Sequence, residues 1–174
     1  MSKKFIPNII SLFRISLIPL IVFFIFNLEP KSSIWAFLLF TLAALTDFLD
    51  GLIARMTESI TEFGKILDPF ADRLLIISIL ISLFINKRVS LIGVSIVVIR
   101  DIMMAIGYLI LRKGNKYLKV STLGKVATFV LMISIAILLL RLPPYDKYLF
   151  FIGCCLSLLS GIDYFIKFII YFRK

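Results

Sequence analysis

The sequence contains no histidine, and its only two cysteines, Cys154 and Cys155, are neighbours within an apolar run. That inventory excludes a disulfide framework and a Cys/His zinc site. Charge is scarce too: 17% of the 174 residues are charged and 61% are hydrophobic, with apolar stretches recurring from residue 9 to residue 172. So little polar surface excludes a soluble domain. Glycine is modest at 8 residues while phenylalanine reaches 17, the composition of lipid-facing helices rather than of a barrel or a disordered segment. Acidic residues number 10 against 20 Lys and Arg, a formal net charge of +10. In a soluble protein that excess would point to nucleic acid. Here the basic residues lie mostly between apolar runs, as topology signals and headgroup contacts, and no nucleic-acid partner is expected.

A membrane-spanning helix needs about 20 mostly apolar residues. The runs predict an all-α polytopic membrane protein with six transmembrane helices, near residues 8–27, 33–53, 66–86, 89–112, 121–141 and 147–171. They form one domain over residues 1–174, with no room for a separate soluble one. Lys3 and Lys4 precede the first run as in a signal peptide, but Arg14 interrupts it and no small-residue cleavage pattern follows. A retained helix is expected. Six crossings place both termini on one side, together with thirteen Lys and Arg; the other side has five, Lys31, Lys87, Arg88, Arg141 and Lys147. The positive-inside rule then predicts cytoplasmic termini. Without an organellar targeting segment, the expected location is the bacterial inner membrane.

The few carboxylates are the most informative residues. Asp47 and Asp50 are three apart at the cytoplasmic end of the second span, and Asp68 and Asp72 are four apart at the cytoplasmic start of the third. Each pair therefore shares a helix face. Any one of them alone is ordinary as a cap or a solvated charge, but four at a membrane edge repel one another unless cations neutralise them. All-oxygen ligands select hard cations such as Mg²⁺ or Mn²⁺, and four carboxylates suit a two-metal site that grips phosphate oxygens. The intervening residues agree: Gly51 allows close approach, Arg55 can fork onto phosphate, and Gly64 opens the turn into the third helix. A divalent-cation or proton transporter is the competing reading, since intramembrane carboxylates also mark ion paths. It fits less well, because the outer halves of the second and third spans are apolar.

Residues 47–72 read Asp47-Phe-Leu-Asp50-Gly51-Leu-Ile-Ala54-Arg55, then eight residues, then Gly64-Lys-Ile-Leu-Asp68-Pro-Phe-Ala-Asp72. This resembles the signature of the CDP-alcohol phosphatidyltransferases, membrane enzymes of phospholipid synthesis, with all eight fixed positions present. The resemblance implies transfer of a phosphatidyl group from CDP-diacylglycerol to an alcohol, with release of CMP. It further implies that Asp47, Asp50 and Asp68 hold metal, that Asp72 lies beside the metal and takes the acceptor's proton, and that Asp50, Gly51, Ala54, Arg55 and Gly64 line the cytidine diphosphate pocket. Members of the family often pair, so a homodimer is compatible with it.

Other polar residues extend this picture. Asn8, Ser11 and Arg14 recur at helical spacing on the first span and resemble the opening of the members that use glycerol 3-phosphate. In that reading Asn8 meets the donor and Arg14 the acceptor phosphate; in the plainer one Asn8 caps a helix and Arg14 snorkels. Arg100 and Asp101 lie in the middle of the fourth span, where an isolated charge costs at least about 2.5–3.5 kcal/mol. Arg100 is the candidate anion anchor, oriented by Asp101, with Lys125 as a second cation for an acceptor phosphate; the alternatives are a structural pair and an interfacial lysine. Asp163 and Lys167, four apart, are expected to pair structurally. Glycerol-3-phosphate-using members tend to show Arg-Glu where this chain has Arg100-Asp101, and a further Arg where it has Tyr108. That departure leans toward the cardiolipin-forming branch, whose acceptor is phosphatidylglycerol, whereas Gly124-Lys125 leans back. Glycerol 3-phosphate is the expected acceptor.

Overall fold

The computed structural model describes the backbone of residues 6–27, 29–57, 64–113 and 121–172, and the side chains of residues 10–27, 29, 31–47, 70–107, 110 and 121–170. Within them the regular structure is six α-helices and no strand: α1 (Ile6–Phe26), α2 (Pro30–Thr57), α3 (Gly64–Ile85), α4 (Leu91–Lys113), α5 (Thr122–Leu140) and α6 (Tyr145–Phe172). Each covers one of the expected spans. The largest difference is α2, which runs one turn beyond the apolar stretch to Thr57. Asp47, Asp50 and Arg55 end the hydrophobic run but not the helix, because polarity sets where a segment leaves the apolar layer while backbone hydrogen bonding sets where it unwinds.

The chain divides into two compact units after Asn86. In the first, α1 packs against both α2 and α3. Leu17, Ile21 and Ile25 of α1, Ala36, Phe40 and Ala43 of α2, and Leu75, Ile79 and Leu83 of α3 are buried rows three or four residues apart, the spacing of one helix face. The Asn86 side-chain amide donates to the Ile25 carbonyl at 3.2 Å. This satisfies one of the carbonyls that a helix leaves open at its C-terminal end.

In the second unit α6 packs against α4 and α5. Two glycines set the approach of α4 to α6: a Cβ at Gly93 would lie 2.6 Å from the Phe150 ring, and one at Gly107 2.5 Å from the Tyr164 hydroxyl. Small residues at such crossings let helix backbones come close where hydrocarbon provides no hydrophobic drive. Several polar side chains inside the helices are satisfied locally, as when Ser134 donates to the Leu131 carbonyl at 2.7 Å and Ser82 to the Ser78 carbonyl at 2.8 Å. Ser121 caps α5 by accepting from the Gly124 amide at 3.2 Å, and Ser90 accepts likewise from Gly93 at the start of α4. Lys87 and Arg141 have φ of 56° and 55°, and Arg141 closes α5 through its amide on the Leu138 carbonyl. Glycine is the unstrained choice in that left-handed region.

Every helix turns large apolar side chains outward, among them Phe23, Trp35, Phe70, Ile92, Phe129 and Phe151. Exposed apolar side chains on this scale suit helix surfaces that face lipid. Among the described residues two helices, Thr122–Leu140 and Tyr145–Ile170, are long and apolar enough to cross a bilayer, and Ile10–Phe26 is apolar over a shorter length.

Candidate active site

Asp47 sits near the middle of α2 and Asp72 in the third turn of α3. Because α2 stays helical through Thr57, positions 47, 50, 51 and 54 follow the i, i+3, i+4, i+7 pattern of a single face. Positions 64, 68 and 72 recur every four residues along α3 in the same way. The signature thus lies along one face of each of two helices rather than in the connection between them.

The side chains of Asp47 and Asp72 meet at Arg14 of α1. Arg14 reaches Asp47 Oδ1 with Nη2 at 2.9 Å and donates to Asp72 Oδ1 through Nη1. The Arg14 side chain is only 1% exposed, whereas those of Asp47 and Asp72 are 42% and 38% exposed. A buried cation therefore lies against two half-exposed carboxylates. Arg14 was expected at the acceptor phosphate; its described partners are these carboxylates. Charge balance was the available signal, since a deep arginine on the first span has to find anions, but the sequence does not tell which helices flank α1. Ser11, one turn earlier, is fully buried on the same side of α1.

The chemistry of this donor set fits a hard divalent cation. Asp47 and Asp72 offer carboxylate oxygens from two helices at one point, and oxygen-only ligation is what Mg²⁺ and Mn²⁺ favour. Among the described residues no three ligating side chains gather. The side chains of Asp50 and Asp68, the other two expected ligands, lie outside the described residues. So do those of Asn8, Gly51, Ala54, Arg55 and Gly64, the expected donor-pocket residues, and that of Tyr108.

Arg100 belongs to the second unit and has a different setting. It donates to Asp101 Oδ1 at 3.0 Å, to the Gly124 carbonyl at 3.1 Å and to the Thr128 hydroxyl at 3.1 Å. Both members of the Arg100–Asp101 pair are 4% exposed. The expected orientation of Arg100 by Asp101 is present, and two acceptors on α5 join it. A Cβ at Gly161 of α6 would lie 3.5 Å from the aliphatic stem of Arg100, ordinary contact distance. Thr128 and the Gly124 carbonyl were not singled out as partners of Arg100 beforehand: the carbonyl has no sequence signature, and Thr128 resembles any helical threonine. Lys125, the expected second cation, is exposed on the first turn of α5. Asp163 and Lys167 form the expected i, i+4 pair at 2.7 Å.

Comparison with known proteins agrees with the two-helix signature. The CDP-alcohol phosphatidyltransferase profile matches residues 4–159. A CDP-diacylglycerol–glycerol-3-phosphate 3-phosphatidyltransferase of Rickettsia bellii (strain RML369-C) is 33% identical over 168 residues, covering 92% of this chain and 93% of the relative. The enzyme of that name from Escherichia coli (strain K12) is 32% identical over 167 residues, covering 91% and 92%. A cardiolipin synthase (CMP-forming) of Streptomyces coelicolor (strain ATCC BAA-471 / A3(2) / M145) is 39% identical over 139 residues, covering 78% of this chain and 65% of the relative. The matched segment contains both helices of the signature together with Arg14 of α1, and the chain belongs to the CDP-alcohol phosphatidyltransferase family of enzymes.

Proposed function

We propose that the protein transfers the phosphatidyl group of CDP-diacylglycerol to a hydroxyl of glycerol 3-phosphate, giving phosphatidylglycerophosphate and CMP. The observation that carries the chemistry is the meeting of Asp47 and Asp72, from two different helices, at the Arg14 guanidinium. The acceptor follows the names of the relatives that align with nearly the whole chain.

In this reading Asp72 accepts the proton of the attacking hydroxyl. The new bond forms between the acceptor oxygen and the phosphatidyl phosphorus, while the bond from that phosphorus to the bridging oxygen of CMP breaks and its electron pair leaves with CMP. Asp47, Asp50, Asp68 and Asp72 would hold the divalent metal, which would lower the pKa of the hydroxyl and offset charge on the diphosphate. Arg14 holds Asp47 and Asp72 in place and lowers the repulsion between them. Arg55, Gly51, Ala54 and Gly64, with Asn8, surround the nucleotide diphosphate, and Arg100 and Lys125 serve the acceptor phosphate. The Arg100 network of Asp101, Gly124 and Thr128 fixes that guanidinium before any substrate arrives.

The membrane arrangement belongs to the same proposal. All six helices cross the bilayer, with the termini and the Asp47–Asp72 end on the cytoplasmic side of a bacterial inner membrane, and the site opens laterally so that the acyl chains of the donor stay in lipid. A homodimer is compatible with this arrangement. A second reading, a cardiolipin synthase that uses phosphatidylglycerol, is favoured by Arg100-Asp101 together with Tyr108 and by the 39% identity to the Streptomyces coelicolor relative.

The test is CMP release by the purified protein from CDP-diacylglycerol with Mg²⁺ or Mn²⁺. Glycerol 3-phosphate is expected to stimulate it, and EDTA to stop it. Stimulation by phosphatidylglycerol instead would select the second reading, and no release with any alcohol would overturn both.

A further inference from the structure

A lateral cavity of about 620 Å³ lies within the second unit, between the first turns of α4 and α6 and the C-terminal turn of α5. Its size is that of a ligand site, roughly 300–1,000 Å³. The lining is polarised along its length. Lys87, Arg88 and Lys147 stand at one end, and beyond them the walls are formed by apolar side chains such as Ile96, Phe151 and Leu158. From Lys147 to Leu158 the α6 wall runs about 16 Å at 1.5 Å per residue. Cationic at one end and apolar for three turns beyond, the cavity has the profile of an anionic amphiphile.

The charges at the cationic end do not balance internally. Residues 84–96 and 138–158 contain four cations, Lys87, Arg88, Arg141 and Lys147, and a single carboxylate, Asp146. Asp146 is already used: it is buried in the first turn of α6 and accepts from the Lys147 amide at 2.8 Å, and Arg88 approaches it only to 3.9 Å. Burial and then the charge of Arg141 push the Arg88 guanidinium below its ordinary pKa, with Asp146 acting in the opposite direction. The Arg141 Nε is buried and has no hydrogen-bond partner. Lys87 and Arg141 also occupy left-handed backbone positions where glycine would be unstrained. Two cations are kept where they are sterically disfavoured, in a cluster of four cations with one carboxylate.

We infer that this cavity binds one anionic phospholipid, its phosphate among Lys87, Arg88 and Lys147 and an acyl chain along the α4–α6 wall. Neither Asp47 and Asp72 nor the Arg100 network contributes to the lining, so this is a lipid site separate from the one that handles the donor. The occupant is a lipid rather than free phosphate because the cations account for only one end of the cavity. On the proposed topology it is drawn from the leaflet opposite the active site.

The test uses the full chain, purified in detergent and stripped of lipid, with retained lipid counted by intact-complex mass spectrometry and stability followed by thermal unfolding. Dioleoylphosphatidylglycerol is expected to bind with one tight copy and to raise the unfolding midpoint more than dioleoylphosphatidylcholine. Lys87→Gln with Lys147→Gln should weaken that copy about 30-fold, the order expected for two phosphate-facing charges. Lys87→Arg with Lys147→Arg should keep it, and Cys155→Phe, which fills the wall, should expel it. CMP release should persist in all three proteins, and its separate loss would bear on the active site alone. Equal stabilisation by phosphatidylcholine, full stabilisation by inorganic phosphate, or a tight copy that survives both the Gln pair and Cys155→Phe would each overturn the inference.

Discussion

Each half of the molecule buries one arginine beside aspartate, and the two arginines are used differently. Arg14, in the first unit, gathers carboxylates from two other helices, and those carboxylates remain about two-fifths exposed. Arg100, in the second unit, is held by its own neighbour Asp101 and by acceptors on α5, with both charges enclosed. The first arrangement keeps its carboxylates partly exposed around a buried guanidinium. The second encloses both charges and holds the Arg100 guanidinium against acceptors on α5. Two buried arginines of one chain thus have unlike surroundings, one among half-exposed carboxylates and one among enclosed partners.

Breaking each cluster should separate these roles. The largest effect is expected for Asp72→Asn, which removes a proton acceptor: CMP release should fall about 10²–10⁴-fold, with the unfolding midpoint within a few degrees of wild type. A next pair tests the contrast directly. Asp101→Asn leaves an enclosed guanidinium short of its counter-charge and should cost about 3 kcal/mol, whereas Asp47→Asn at a half-open site should cost about 1 kcal/mol or less and yet harm CMP release more. Equal stability losses, read by thermal unfolding in one detergent, would erase the distinction. Arg14→Gln probes the open cluster from its cation. On the proposed metal site, Arg14→Gln makes Asp47 and Asp72 more dependent on the divalent ion for neutralisation, so EDTA should lower the midpoint of Arg14→Gln by several degrees more than that of wild type. The smallest change is steric. Gly93→Ala places a methyl 2.6 Å from the Phe150 ring, and the overpacking should cost about 1–3 kcal/mol while CMP release per folded molecule stays unchanged.

Much of this was legible in the sequence for a physical reason. Hydrophobic runs long enough for a bilayer leave few ways to fold, so the six helices follow from the spacing of the breaks between them. The carboxylate pattern was equally legible, because Asp47 with Asp50 and Asp68 with Asp72 have helical spacing whatever packs around them. The partners of the arginines were not. Arg14 reads as a lone cation until α1 is seen to pack against both α2 and α3, an arrangement set by Leu17, Ile21 and Ile25 meeting two other rows. The Gly124 carbonyl that receives Arg100 has no side chain to announce it. The cavity between α4 and α6 was hidden for the same reason: Lys87, Arg88 and Lys147 read as topology signals one by one, and only folding collects them above an apolar wall.

The Asn86 amide on the Ile25 carbonyl acts at a distance on the carboxylate cluster. Helices α1 and α3 are joined at two points, Arg14 to Asp72 and Ile25 to Asn86, about 16 Å apart along α1 and about 21 Å along α3. Their order shows that the two helices run in the same direction. A rod fastened at both ends can neither slide along its neighbour nor roll against it, so the asparagine acts as a depth stop, holding the arginine level with its aspartates from the far end of the bundle.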